Sequence, residues 1–97
     1  MDKTIGLAYR ARKVTVGTEI TIDALRKKKI CLIILANDAS ELTKKKVRDK
    51  AKTYETTVLE DLDSHTLSLA LGKKDIKVIG ITEQGFCQLL MDQKRKW

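Results

Sequence analysis

Several residues in this 97-residue chain carry groups that could do chemistry. Glu60 and Asp61 are adjacent carboxylates, a pair that could act as general acid and base in hydrolysis. His65 is the one histidine, Cys31 and Cys87 are the two thiols, and the cationic runs Arg26–Lys29 and Lys73–Lys74 could hold phosphate. The first three sets fall short of a catalytic site. Adjacent acids ahead of a helix are commonly helix-start residues favoured by the dipole. His65 lies near the start of a short helical segment and reads as a surface histidine, because no serine or cysteine is spaced to share a proton with it. Cys31 falls in an apolar run, where a thiol behaves as a small hydrophobe. The cysteines do not form a closely spaced pair, so neither a zinc site nor a disulfide is expected and both read as reduced core residues. Gly17 fits neither the dinucleotide nor the Walker spacing. The expectation is a chain with no enzyme activity, metal or cofactor.

The cationic runs remain. Twenty Lys and Arg against thirteen Asp and Glu give a net charge of +7, which favours a polyanionic partner, nucleic acid first, through an attraction that salt weakens. The alternative is that lysine merely keeps a small protein soluble. Aromatic residues make up 4% of the chain, too few for a platform that stacks single-stranded bases.

These side chains must be positioned by one small core. The length, the absence of proline and the lack of a low-complexity linker indicate a single domain spanning 1–97. No charged head precedes an apolar block, and the longest apolar run is too short to cross a bilayer, so a soluble cytoplasmic protein is expected. Ile5, Ala8, Tyr9 and Ala11 recur at helical intervals, and Val14–Val16 reads as a short strand. Gly17 then breaks the chain, Thr18 is placed to cap a second helix, and Ile20, Ala24 and Leu25 are placed to line its inner face. The cations Arg26–Lys29 suit the negative end of that helix.

The run Ile30–Ala36 has no polar alternation, so it reads as a central strand covered on both faces. Asp38 and Glu41 resemble a capping box for a third helix reaching Thr53. That helix carries Lys44, Lys45, Lys46, Arg48, Lys50 and Lys52; a Glu41–Lys45 pair would leave most of this charge available, and the alternative is a plain solvated face. Thr56–Leu59 reads as a third strand, Asp63 or Ser64 as the cap of a short helix ended by Gly72, and Ile76–Ile81 as a fourth strand. Thr82 is placed to cap a last helix, and Lys94–Trp97 to form a solvated tail. The predicted architecture is an α/β three-layer α/β/α sandwich around a mixed sheet of about four strands, in which parallel neighbours predominate. The start of the second helix, the turn at Asn37–Asp38 and the turn at Lys73–Lys74 should then emerge on one rim, where free backbone N–H groups at Thr18–Thr21 favour phosphate or base acceptors.

At these residues the chain resembles the kink-turn-binding large-ribosomal-subunit proteins of the L-seven-Ae and L-thirty-e type, and particularly their bacterial YlxQ-like branch. The resemblance is carried by GLAYRARKVTVGTE from Gly6, DALRKKKICLIILANDAS from Asp23, LALGKKD from Leu69 and VIGITEQGF from Val78. Their order and spacing together are fairly specific. The resemblance implies the same sandwich, no enzyme activity, and binding to structured RNA, often a sharply bent internal loop with tandem sheared G·A pairs.

In that family the second helix typically opens Gly-x-Asn-Glu-x-x-Lys and enters the RNA groove. Here Gly17 agrees, while Glu19 stands for Asn, Ile20 for Glu and Asp23 for Lys. An ionised Glu19 accepts from guanine N–H groups but cannot donate to O6, and Asp23 repels phosphate where Lys would attract it. Lys73, Lys74 and Asp75 occupy the place of the family's apolar turn over an extruded base. The expected RNA-binding residues are Lys13, Gly17, Thr18, Glu19, Ile20, Asp23, Lys27, Lys73 and Lys74 around one rim. The expected partner is structured RNA, ribosomal RNA first, with a ribosomal or acidic protein partner possible and no membrane. Ile20 also fits a core position and Glu19 a plain first-turn acid. The competing reading is a protein–protein adaptor that keeps the fold, has lost kink-turn binding, and meets an acidic protein surface through the cations of the third helix.

Overall fold

The computed structural model describes residues 1–95. Five helices, α1 (Asp2–Arg10), α2 (Thr18–Arg26), α3 (Glu41–Thr53), α4 (Ser64–Leu71) and α5 (Gln84–Arg95), alternate with strands β1 (Val14–Val16), β2 (Leu32–Leu35), β3 (Thr57–Leu59) and β4 (Val78–Ile81). The strands form one sheet in the order β1-β4-β2-β3. Only β2 and β3 run parallel; β4 is antiparallel to both β1 and β2. The expected predominance of parallel neighbours is therefore wrong. The segment after α4 folds back beside that helix, so β4 enters the sheet from the end at which β3 leaves it, against the direction of its neighbours.

The apolar runs behave as their lack of alternation requires. Every residue of β2 and β4 is buried, and α2 and α3 pack together on one face while α1 packs against α4 and α5 on the other. Two positions show how closely the elements approach. A Cβ on Gly80 would stand 2.6 Å from Ile30 Cδ1 and 2.7 Å from Thr15 Oγ1, beneath α2; one on Gly6 would stand 3.1 Å from the Ala70 carbonyl oxygen, where α1 meets α4.

Register fixes which turns share a rim. Val14, Ile81, Leu32 and Thr57 form one row across the sheet, and Val16, Ile79, Ile34 and Leu59 another. The second row leads to the start of α2, the loops after β2 and β3, and the entry to β4. The first leads to the ends of α1, α2 and α3 and to the start of α5.

Several local expectations need correction. Cys31 and Cys87 are joined by a disulfide across a sequence separation of 56, rather than lying as free thiols. Nothing in their spacing announces this, because the sheet alone brings the start of β2 beside the first turn of α5. Ser40, not Asp38, caps α3, its Oγ accepting from Thr43 N–H at 3.2 Å. Asp38 instead serves the start of α4, accepting from Ser64 N–H and Oγ, both at 2.7 Å. These bonds, the side-chain one first, hold its carboxyl below the ordinary range. Asp63 caps α4 as expected, accepting from Thr66 N–H at 2.8 Å, and Gly72 ends that helix in the left-handed conformation. Glu83, rather than Thr82, meets the first turn of α5, accepting from Gly85 N–H. Ala11 lies beyond α1 and is exposed. Lys94 and Arg95 are helical; Lys96 and Trp97 of the expected tail lie outside the described residues.

Candidate nucleic-acid interface

The rim at the second row is built around the entry to α2. Gly17 has φ 101° and ψ 154°, a backbone conformation open to glycine and costly for any other residue, and it turns the chain from β1 into the helix. Gly17, rather than the expected Thr18, is the N-cap, and no side chain caps the helix. The N–H groups of Thr18, Glu19 and Ile20 therefore have no intrahelical partner, whereas that of Thr21, expected to be free, donates to the Gly17 carbonyl at 3.1 Å; the positive end of the dipole faces outward. Gly17 N–H donates to the Val78 carbonyl at 2.9 Å, and Ala36 N–H to the Lys77 carbonyl at 2.7 Å. These two bonds place the start of α2, the loop after β2 and the entry to β4 side by side.

Ile20 is 62% exposed, so it is not the inner-face residue that helical spacing suggested; Thr21, Ile22 and Leu25 take that face. Leu25 is buried and Ala24 half-buried as expected; only Ile20 turns outward. Glu19, Ile20 and Asp23 are exposed together on the outer side of α2. Glu19 receives a short hydrogen bond from the Lys46 ammonium of α3, which holds its carboxyl below the ordinary range. Asp23 is paired with Lys27 at 3.1 Å along the same helix. Lys46 is a part of this rim that sequence spacing could not supply, since 27 residues separate it from Glu19.

The turn after α4 lies against α1 and leads into the entry to β4. Lys73 holds its ammonium 5.7 Å from the centre of the Tyr9 ring, a cation–π distance, and Lys74 and Asp75 follow it on the surface. Ser64, His65, Ser68, Leu69 and the Lys73–Asp75 turn line a shallow cleft of about 340 Å³. Ser68 Oγ accepts from Ile76 N–H at 2.9 Å and fastens the turn to α4.

Two expected members stand elsewhere. Lys13 precedes β1 at its far end, where its carbonyl accepts from Thr82 N–H, and Lys27 closes α2 at the opposite end from Gly17. The structure therefore brings Gly17, Thr18, Glu19 and Ile20 together with the entry to β4, but not Lys13 or Lys27. Strand direction decides this, and it cannot be read from composition.

The other chemical candidates are taken up in structural pairs. Arg48 donates to both carboxylate oxygens of Glu60, at 3.0 and 2.5 Å, and Lys94 donates to Asp61 at 2.5 Å. Glu60 raises the Arg48 pKa above its ordinary value, mainly through that hydrogen bond. The acids before α4 thus tie its approach to α3 and α5, and neither is free to act on a substrate. His65 is exposed. On α3 the expected Glu41–Lys45 pair is replaced by Glu41–Lys44 and Asp49–Lys45, both at 3.8 Å, and Lys46 and Arg48 have the acidic partners already named. Contrary to expectation, most of this helix's charge is locally matched.

Comparison with known proteins agrees with this geometry. Residues 1–91 match the Ribosomal protein L7Ae/L30e/S12e/Gadd45 family. The chain is 44% identical over 84 residues to the RNA-binding protein YlxQ of Enterococcus faecium, covering 87% of this chain and 81% of that protein. It is 37% identical over 87 residues to the RNA-binding protein YlxQ of Bacillus subtilis strain 168, covering 90% and 87%. Among solved structures, a Bacillus halodurans protein of unknown function superposes with a TM-score of 0.90 at 35% identity over 94% of this chain and 92% of that one. The Giardia lamblia 15.5kD RNA binding protein shares the fold, with a TM-score of 0.73 at 13% identity over 84% and 70%. A mixed four-stranded sheet layered between helices, an uncapped second helix at one rim, and a match over nearly the whole sequence all agree: the chain belongs to the Ribosomal protein L7Ae/L30e/S12e/Gadd45 family.

Proposed function

We propose that this chain is a non-enzymatic RNA-binding protein of the cytoplasm that recognises structured RNA of the ribosomal kind, at a kink-turn or related internal loop. The opening of α2 reads the loop, and the turn at Lys73–Lys74 holds a neighbouring phosphate run. The observation that carries this reading is the uncapped, exposed first turn of α2 in a chain 44% identical to a protein named for RNA binding. Free N–H groups suit phosphate oxygens, and the exposed Ile20 suits a base or ribose face. Glu19 accepts from base N–H groups, while Asp23 opposes phosphate and is offset by Lys27. Among the described residues no helix is long and apolar enough to cross a membrane.

The adaptor reading draws its support from Glu19, Ile20 and Asp23, but the cations of α3 on which it relies are largely paired within the chain. Titration into a hairpin carrying tandem sheared G·A pairs tests the proposal. Affinity should fall steeply with salt, and Lys73→Ala with Lys74→Ala should lower the slope by about one to two contacts. A flat salt response of the unaltered chain would refute it.

A further inference from the structure

Lys13 and Lys27, which strand direction removes from the α2 rim, belong to a second basic surface. At the row Val14–Ile81–Leu32–Thr57 the helices α1, α2 and α3 all end, and each closes with a residue in the left-handed region: Arg12 at φ 61°, Lys28 at φ 59° and Glu55 at φ 52°. The closures follow one pattern. Arg12 and Lys13 N–H donate to the Tyr9 and Ala8 carbonyls, Lys28 and Lys29 to those of Leu25 and Ala24, and Glu55 and Thr56 to those of Lys52 and Ala51. A glycine would hold such a turn at less cost, by about 1–2 kcal/mol per position, yet two of the three positions carry cations.

Helix ends by themselves call for some positive charge. Three C-termini present roughly 1.5 negative charges in all. Arg12, Lys13, Arg26, Lys28, Lys29 and Lys52 are exposed at this pole, and no carboxylate of the described residues lies within ion-pair distance of them. They exceed the dipole requirement several-fold, and Glu55 and Glu83 offset only part of the remainder. Between the ends of α2 and α3 lies a cleft of about 540 Å³, walled by Lys28, Thr53, Tyr54 and Thr56 with Leu25 and Ile30 beneath; a second, of about 380 Å³, adjoins it beside Lys29 and Gln84, and the Glu55 carboxylate edges both. Hydroxyls and cations around a half-buried tyrosine, outnumbering the one carboxylate of Glu55, suit a sugar–phosphate chain better than an apolar ligand.

We infer that this pole is a second RNA contact, gripping the backbone of an RNA segment remote from the one held at the start of α2, with Lys28, Lys29 and Arg26 on phosphates and Tyr54 against a ribose or base. This rests on the proposed RNA binding. The test is the salt dependence of binding to a hairpin whose sheared G·A loop is flanked by long helical arms. Lys28→Gly with Lys29→Ala keeps the left-handed turn while removing two charges. This pair should lower the slope by about two contacts, whereas Lys3→Ala with Lys45→Ala, equal in charge but on other surfaces, should leave it unchanged. Truncating the helical arms should weaken the unaltered chain several-fold and the pole variant hardly at all.

A pole variant with the unaltered slope and the same response to truncation would overturn the second contact while leaving the first intact. Equal losses in the pole and control variants would also overturn it, since the effect would then be net charge alone. No binding by the unaltered chain would remove both proposals.

Discussion

Gly80 tests how α2 is seated, and through it how the rim is formed. In Gly80→Ala the new methyl stands 2.6 Å from Ile30 Cδ1, 2.7 Å from Thr15 Oγ1 and 3.0 Å from Thr21 Cγ2. The Ile30 methyl is the end of a flexible chain and can swing aside. Thr15 Oγ1 cannot do so freely, because it shares a 2.9 Å hydrogen bond with Thr21, whose side chain is fully buried. Moving Thr15 gives up about 1 kcal/mol and leaves a buried hydroxyl unpaired at about 1–3 kcal/mol; lifting α2 instead costs about 1–3 kcal/mol of overpacking. Alanine returns about 0.4–1 kcal/mol by restricting the unfolded chain. The net loss is about 2 kcal/mol, or roughly 8–16 °C in Tm for a domain of this size. Urea unfolding followed by circular dichroism measures it for the single variant, for Thr15→Ala and for the double variant. Because Thr15→Ala removes the obstructing oxygen, the double variant should be more stable than the two single losses together imply. A Gly80→Ala protein as stable as the parent, or strict additivity with Thr15→Ala, would refute this seating of α2.

Other expectations can be checked with the same protein. Opening the Cys31–Cys87 bridge, by reductant or by Cys31→Ala with Cys87→Ala, should cost up to about 4 kcal/mol of stability from the loop it closes, read as a shift in the urea midpoint. Gly17→Ala meets no atom within 4 Å, so its cost is backbone strain of about 1–3 kcal/mol, together with weaker RNA binding from a displaced first turn. The hydrogen bonds from Ser64 to Asp38 and from Thr66 N–H to Asp63 hold both carboxyls below their ordinary value, so the stability they give is present above the ordinary carboxylate range and lost as pH falls through the depressed values; Asp38→Asn should flatten this acid limb in Tm measured against pH. Glu19→Gln releases Lys46 and should steepen the salt dependence of RNA binding by about one contact. Asp23→Lys should strengthen kink-turn binding, and an unchanged affinity would show that α2 does not face the RNA.

Much of this fold was legible because its apolar runs are unambiguous. Ile30–Ala36 and Ile76–Ile81 could only be covered strands, and Asp63 and Gly72 mark the ends of α4 by residue type alone. What escaped depends on partners distant in sequence. Asp38 looked like the cap of α3 because Glu41 follows at the right spacing, but Ser40 is nearer and Ser64 claims the carboxylate. Ile20 looked buried because spacing cannot fix the phase of a helix to within one residue. The rim was half legible: Gly17 and the entry to β4 at Val78 adjoin, whereas Lys13 and Lys27 depend on strand direction, which hydropathy does not encode.

Backbone amide shifts of the 15N-labelled chain, followed while a hairpin with tandem sheared G·A pairs is titrated in, test the central claim most directly. The account predicts that the amides of Gly17–Ile20 move most among those of α2, together with those of Lys73–Lys77. Unmoved amides at Gly17–Ile20, with changes confined to α3, would contradict it.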